Sequence, residues 1–309
     1  MPNLVRRPLL TAGLVALTLG TAAACGGSSS GGGSSTVSPA ASPSSVVTPG
    51  AVASVASLVP PTIRTKNKIT VAMDATYAPN EFIAQDGKTI VGMDADLAKA
   101  LGAVMGLKVN LTNETFDGII PGLDTGKYDV GMSSFTDTKE REKTVDFVTY
   151  FQAGTSFYEK AEGGPTITDL ASLCGLKVAV EKGTTQQDDA TKQGKKCVKA
   201  GKETVTVDTF PDQNGANLAL QSGHDQVGMA DSPVAAYQVQ QSDGAFQLAG
   251  QAYGVAPYGI ALPKDNGMAP AMLAALKELM KNGAYTQILA KWGVQSGAIT
   301  KPVINGAIS

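Results

Sequence analysis

The 309 residues are 43% hydrophobic and 17% charged, which is too much chain for one small domain and enough apolar material for a substantial core, so two lobes are expected. The formal charge is −2; leaving aside Arg6 and Arg7, 23 basic residues stand against 27 acidic ones, a balance that offers nothing to a nucleic acid. The single histidine, His224, leaves almost no material for a histidine pair, a His-rich metal site or a Ser/His/Asp triad, so hydrolase chemistry is disfavoured and neither metal nor other cofactor is expected.

Arg6 and Arg7 precede an apolar run over Leu9–Leu19, and small residues then lead to Cys25. Charge, apolar run and small residues in that order predict an export signal over 1–24. The run falls short of the roughly 20 apolar residues that span a bilayer. Ala22-Ala23-Ala24-Cys25 resembles a bacterial lipobox, with alanine where leucine is usual at Ala22, and predicts lipidation of Cys25. The alternative is plain secretion with Cys25 idle. From Gly26 to Ile63 there is no charged residue, only Gly, Ser, Ala, Val, Thr, Pro, Leu and Ile, so 25–65 are expected to form a flexible tether behind the lipidated cysteine. Its root-mean-square reach is about 35 Å. Folded structure is expected to begin near Lys66.

Beyond that point short β-like runs alternate with amphipathic helical stretches, which predicts an α/β architecture with largely parallel sheets. Ile69–Met73 reads as a strand, Asp94–Met105 as a helix with Leu97, Ala100, Leu101 and Val104 at helical spacing, and Leu107–Leu111 as a strand. Phe116–Leu123 reads as a short helix and Tyr128–Met132 as a strand. A second, similar cycle follows: helix at Leu170–Leu173, strand at Leu176–Val180, helix from Thr184, strand at Val205–Val207, helix at Gln213–Gln221, strand at Gln226–Met229. The C-terminal part supplies a strand at Tyr258–Leu262 and helices at Ala269–Lys281 and Ala284–Trp292.

With Cys25 assigned to lipid, Cys174 and Cys197 remain, and an even pair in an exported chain predicts a disulfide. The run Gly122 to Lys127 looks like part of a phosphate loop, but Tyr128 replaces the required hydroxyl residue and the glycine spacing is one short. Asp94 and Asp96 open a helix, where acids favour the positive end of the dipole.

Several stretches, in order, resemble the bacterial extracellular solute-binding proteins of family 3, which serve polar amino-acid importers. These are Asp74-Ala75-Thr76-Tyr77-Ala78-Pro79, Gly92-Met93-Asp94-Ala95-Asp96-Leu97, Phe116-Asp117-Gly118-Ile119-Ile120-Pro121, Ser133-Ser134-Phe135-Thr136 through Arg141, Val145-Asp146-Phe147, Gly183-Thr184-Thr185-Gln186 and Asp231-Ser232-Pro233. Met93 and Ala95 depart from the aromatic and branched residues usual there. The resemblance implies a periplasmic-binding-protein-like α/β fold, two α/β lobes joined by two crossover strands and closing over ligand. Lobe 1 would take 66–159 and 255–303, and lobe 2 160–254.

A free amino acid presents a carboxylate and an ammonium, and the resemblance assigns a group to each. Arg141 would fork onto the α-carboxylate, helped by Thr136 and the backbone N–H of Thr185. Asp231 would take the α-ammonium. Tyr77 and Phe116 would sandwich the side chain, and Ser133, Ser134, Thr184 and Gln186 complete the set. From the residues alone, Arg141 reads equally as a solvated charge in the run Lys139–Lys143, Asp231 as a helix N-cap, and Tyr77 and Phe116 as core. Asp74 occupies the position that reads side-chain nitrogen in relatives that bind basic amino acids. Glu181 stands where glutamine binders carry a lysine. Two carboxylates and no spare cation favour a basic ligand, such as lysine, arginine, ornithine or histidine. Glutamine or asparagine held by Asp74 alone, with Glu181 in solvent, is the alternative. The expected role is the monomeric, non-enzymatic substrate-binding component of an ABC importer, lipid-anchored at the outer face of the membrane beside its permease. A sensory binding module, or a dehydratase-like enzyme on the same fold, is the competing reading.

Overall fold

The computed structural model describes residues 49–308; the expected export signal and Cys25 lie outside the described residues. Folded structure begins earlier than the composition suggests. Helices α1 (Ala53–Ala56) and α2 (Pro61–Lys66) lie in the stretch read as tether, and Val55, Val59 and Ile63 are buried in the core. The Val52 N–H donates to the Val104 carbonyl at 2.9 Å. The physical reason is spacing: Val52, Val55, Val59 and Ile63, on and between two short helices, turn their apolar side chains to one side. Pro61 starts α2 and Asn67 ends it in the left-handed region.

Strand β1 (Lys68–Met73) leads into a small antiparallel sheet of β2 (Thr76–Tyr77), β3 (Glu81–Ile83) and β4 (Ile90–Val91). Then follow α3 (Met93–Met105), β5 (Lys108–Asn113), α4 (Phe116–Asp124) and β6 (Val130–Gly131), with β1 parallel to both β5 and β6. The second cycle comprises β8 (Lys177–Glu181), α5 (Thr185–Lys199), β9 (Thr206–Phe210), α6 (Gln213–Ser222), β10 (Val227–Asp231) and α7 (Ser232–Gln241). Here β8 is parallel to both β9 and β10. The helix read at Leu170–Leu173 is a single 3₁₀ turn.

Two long strands connect the cycles: β7 (Val145–Lys160) and β11 (Phe246–Pro263), antiparallel from Phe246↔Lys160 to Pro263↔Val145. They make one eight-stranded sheet in the order β5-β1-β6-β11-β7-β10-β8-β9, with register shifts between Ala249 and Tyr253, Tyr253 and Ala256, and Tyr258 and Gly259. The chain closes with α8 (Ala269–Lys281) and α9 (Ala284–Lys291). One apolar core joins Val71, Leu97, Leu101, Tyr150 and Ile260 to Leu276 and Ile288; another joins Phe157, Val178, Val180, Val205 and Met229. The second is clamped by the expected Cys174–Cys197 disulfide, whose Cα atoms are 5.6 Å apart.

Candidate ligand-binding site

The C-terminal ends of β1, β8 and β10 and the N-terminus of α5 converge where the two cycles face each other, the place where parallel strands present ligand groups. A small pocket there is lined by Tyr77, Phe116, Ser134, Thr136, Arg141, Thr184, Thr185, Gln186 and Asp231. Nine of the twelve ligand residues expected from sequence are thus brought together.

Arg141 sits on a 3₁₀ turn, and its guanidinium donates to the Thr136 carbonyl at 2.8 Å and to the Gly183 carbonyl of the opposite half at 3.0 Å. It lies 5.3 Å from the Phe116 ring and 5.4 Å from the Phe135 ring. Burial pushes its pKa down to about 10, which leaves it cationic at neutral pH. Its remaining N–H groups and the N–H groups of the first turn of α5, which have no acceptor within the helix, can hold a carboxylate. Thr184 caps that helix: its hydroxyl accepts from the Gln187 N–H at 3.2 Å and donates to the Glu181 carbonyl at 2.7 Å.

Asp231 stands at the N-cap position of α7, yet its side chain makes no capping bond. It accepts instead from Gln186 Nε2 at 2.7 Å and from the Tyr258 hydroxyl at 2.6 Å. Burial raises it to about 6, opposed by these donors, so it is ionised at neutral pH and suited to an ammonium. Its backbone N–H donates to the Tyr77 hydroxyl at 3.0 Å, which ties the aromatic wall of one half to the acid of the other. Phe116 stacks on Phe135 at 4.4 Å, so the two readings of that residue, core and wall, coexist.

Asp74, Ser133 and Glu181 stand behind the wall. Asp74 accepts from the Thr76 hydroxyl at 2.6 Å and the Phe116 N–H at 3.0 Å, and its carboxylate faces that of Glu181 within hydrogen-bonding reach. Glu181 is buried, not in solvent, and its Oε1 has no hydrogen-bond partner. Burial, reinforced by Asp74, holds Glu181 well above the usual carboxylate range; burial also raises Asp74. Two buried carboxylates that face each other without a cation between them are suited to a positively charged group. The Ser133 hydroxyl does not line the cavity: it accepts from the Asp74 N–H and donates to Glu81 Oε1, both at 2.9 Å.

Sequence reasoning missed the supports beneath this wall. Asp94 does more than open a helix: it is buried and accepts from the Tyr150 hydroxyl at 2.7 Å and the Ser134 N–H at 2.8 Å. Those bonds hold Ser134 at φ 51, a left-handed conformation rare for a residue with a side chain. Thr155 and Tyr258, from the two long strands, orient Gln186 and Asp231. No local motif marks them, because sheet pairing between distant strands brings them in. The halves are latched by Lys182 and Asp117 at 2.8 Å and by the Gln213 N–H on the Thr76 hydroxyl at 3.1 Å. Gly183 is required beside that latch: at φ 80, a Cβ there would sit 3.0 Å from the Asp117 Cβ.

The chain is similar to the arginine-binding protein ArgT of Corynebacterium glutamicum, 33% identical over 84% of this chain and 85% of the relative. It is similar to the L-arginine-binding protein of Pseudomonas aeruginosa, 32% identical over 75% and 90%. Among solved structures it resembles an ancestral arginine-binding protein, at 37% identity in each case: TM-score 0.68 over 73% of this chain and 98% of that one with arginine bound, and 0.67 over 74% and 98% with glutamine bound. Residues 69–295 match the model of bacterial extracellular solute-binding proteins, family 3. The shared architecture and this match together mean that the chain belongs to that family.

Proposed function

We propose that the protein captures a free basic L-amino acid, with L-arginine the first candidate, between its two halves and delivers it to an ABC importer. The observation that carries the choice of ligand is the buried pair Asp74 and Glu181, with an unpartnered Glu181 Oε1, behind a wall that already holds one cation, Arg141, and one ionised acid, Asp231. Arg141 and Asp231 suffice for the α-carboxylate and α-ammonium, so the second acidic pair is left for a cationic side chain passing between Tyr77 and Phe116. The arginine-binding relatives add support, while the ancestral protein seen with glutamine keeps the neutral alternative in view.

Calorimetry against arginine, lysine, ornithine, histidine, glutamine, asparagine and glutamate tests the reading. Binding confined to glutamine, asparagine or glutamate would sink it. The ligand is proposed to be released unchanged, which mass spectrometry after incubation checks. Import, as against sensing, predicts loss of labelled arginine uptake in cells lacking the protein. No described helix is long and apolar enough to cross a membrane, and anchoring is proposed through Cys25; Cys25→Ser should move the protein from the membrane fraction to soluble material.

A further inference from the structure

Away from the cleft, three side chains of different elements bring metal-ligating atoms within 4.8 Å of one another: Asp208 on β9, and His224 and Asp225 in the turn between α6 and β10. His224 Nε2 lies 3.4 Å from Asp208 Oδ2. Asp225 is only 1% exposed, yet neither of its carboxylate oxygens has a hydrogen-bond partner. A buried carboxylate is expected to be satisfied, and two orphaned oxygens beside a second acid and an imidazole are placed to take a cation. The turn is rigidly built: the N–H groups of His224 and Asp225 both donate to the Ala219 carbonyl, at 3.0 and 3.2 Å, after Gly223 ends α6 at φ 79. The negative end of the ten-residue helix α6 points the same way and favours positive charge.

We propose that Asp208, His224 and Asp225 form a divalent-cation site, for which Zn²⁺ is the first probe. One imidazole and two carboxylates are a donor set that Zn²⁺ accepts, with a further position left for water. A bound ion would pin the turn to β9 and stabilise this half of the molecule by mass action. Asp208 pairs with Ala179 on β8, two positions before Glu181, so the site shares the sheet but not the cavity.

The test is calorimetry of Zn²⁺ into the chelator-treated full-length mature protein, alongside the wild type's single imidazole resonance in NMR. One equivalent of Zn²⁺ should bind, shift the His224 resonance and raise the melting temperature. His224→Ala, at an exposed position that tolerates truncation, should weaken binding more than about tenfold, as should Asp225→Asn. Absence of binding at millimolar Zn²⁺, an unmoved His224 resonance, or unchanged affinity in His224→Ala overturns the proposal. Chelator should leave amino-acid binding in the cleft unchanged, which keeps this test separate from that of the proposed function.

Discussion

Arg141 touches both halves of the molecule, so its removal separates recognition from stability. Arg141→Ala is expected to cost about 3 kcal/mol or more in amino-acid binding, because the ligand carboxylate would be buried without its cation. Arg141→Lys should not restore it, since a point charge cannot replace the fork on the Thr136 and Gly183 carbonyls and the ligand together. Calorimetry with arginine checks both; wild-type affinity in either variant contradicts the assigned pose. Glu181 gives a different signature. Burial pushes both Glu181 and Asp74 up, so under the proposed pose a cationic side chain would displace a proton from the pair, and arginine binding should release protons and tighten as pH rises. The calorimetric enthalpy should then vary with the ionisation enthalpy of the buffer. Glu181→Gln should abolish that variation and narrow the preference for arginine over glutamine; buffer-independent enthalpy in the wild type would mean that the pair is not the side-chain site.

At the scale of elements, the disulfide ties the segment before β8 to α5 across 23 residues of sequence. On the chain-entropy account, replacing both cysteines by serine should cost about 3 kcal/mol of stability. Ligand affinity should hardly move, because the bridge lies in the second core and not on the cavity wall. Denaturant unfolding and calorimetry together distinguish the two effects. Helix α2 makes a matching prediction: Ile63→Ala should destabilise by about 2 to 4 kcal/mol, whereas a true tether would tolerate it without loss. That stretch was misread because Val52, Val55, Val59 and Ile63 are diluted by Ser, Pro and Ala, and the apolar stripe gains its value only against α3. Elements with strong periodicity of their own, such as α3, α8 and β1, were legible to within a residue or so. Of the long strands, β11 was legible only over Tyr258–Leu262 and the rest only as the crossovers that the resemblance implied, since the pairing of β7 and β11 is set by each other. The cavity wall was legible through motifs, while Tyr258, Thr155, Glu81 and Asp94 act through side-chain bonds between distant segments that no spacing announces.

For the whole molecule, burial raises Asp94 and Asp231 to about 6 and Asp137 to about 7, from an ordinary 3.8. The folded chain therefore holds protons that the unfolded chain has already released. Their contribution to stability is complete below about pH 4 and is lost as pH rises through about 6 to 7. Glu114 works in the opposite sense: Lys127 and Tyr128 hold it at about 2, and its contribution disappears as pH falls below the ordinary carboxylate range. The ligand-free protein should therefore melt highest in mild acid, near pH 5, and lower at about pH 8; a melting temperature that climbs steadily across that interval would refute this balance. The sheet has a consequence for the order in which the chain assembles from its N-terminus onward. The second core draws on one uninterrupted stretch, from Phe157 to Ala249, and can close as soon as that stretch is available. The first core starts earlier in sequence but must wait for α8 and α9, which supply Met272, Leu276, Ile288 and Leu289. The half that emerges first is thus the half that finishes last, and it stays open to chaperones and proteases until the final helices arrive.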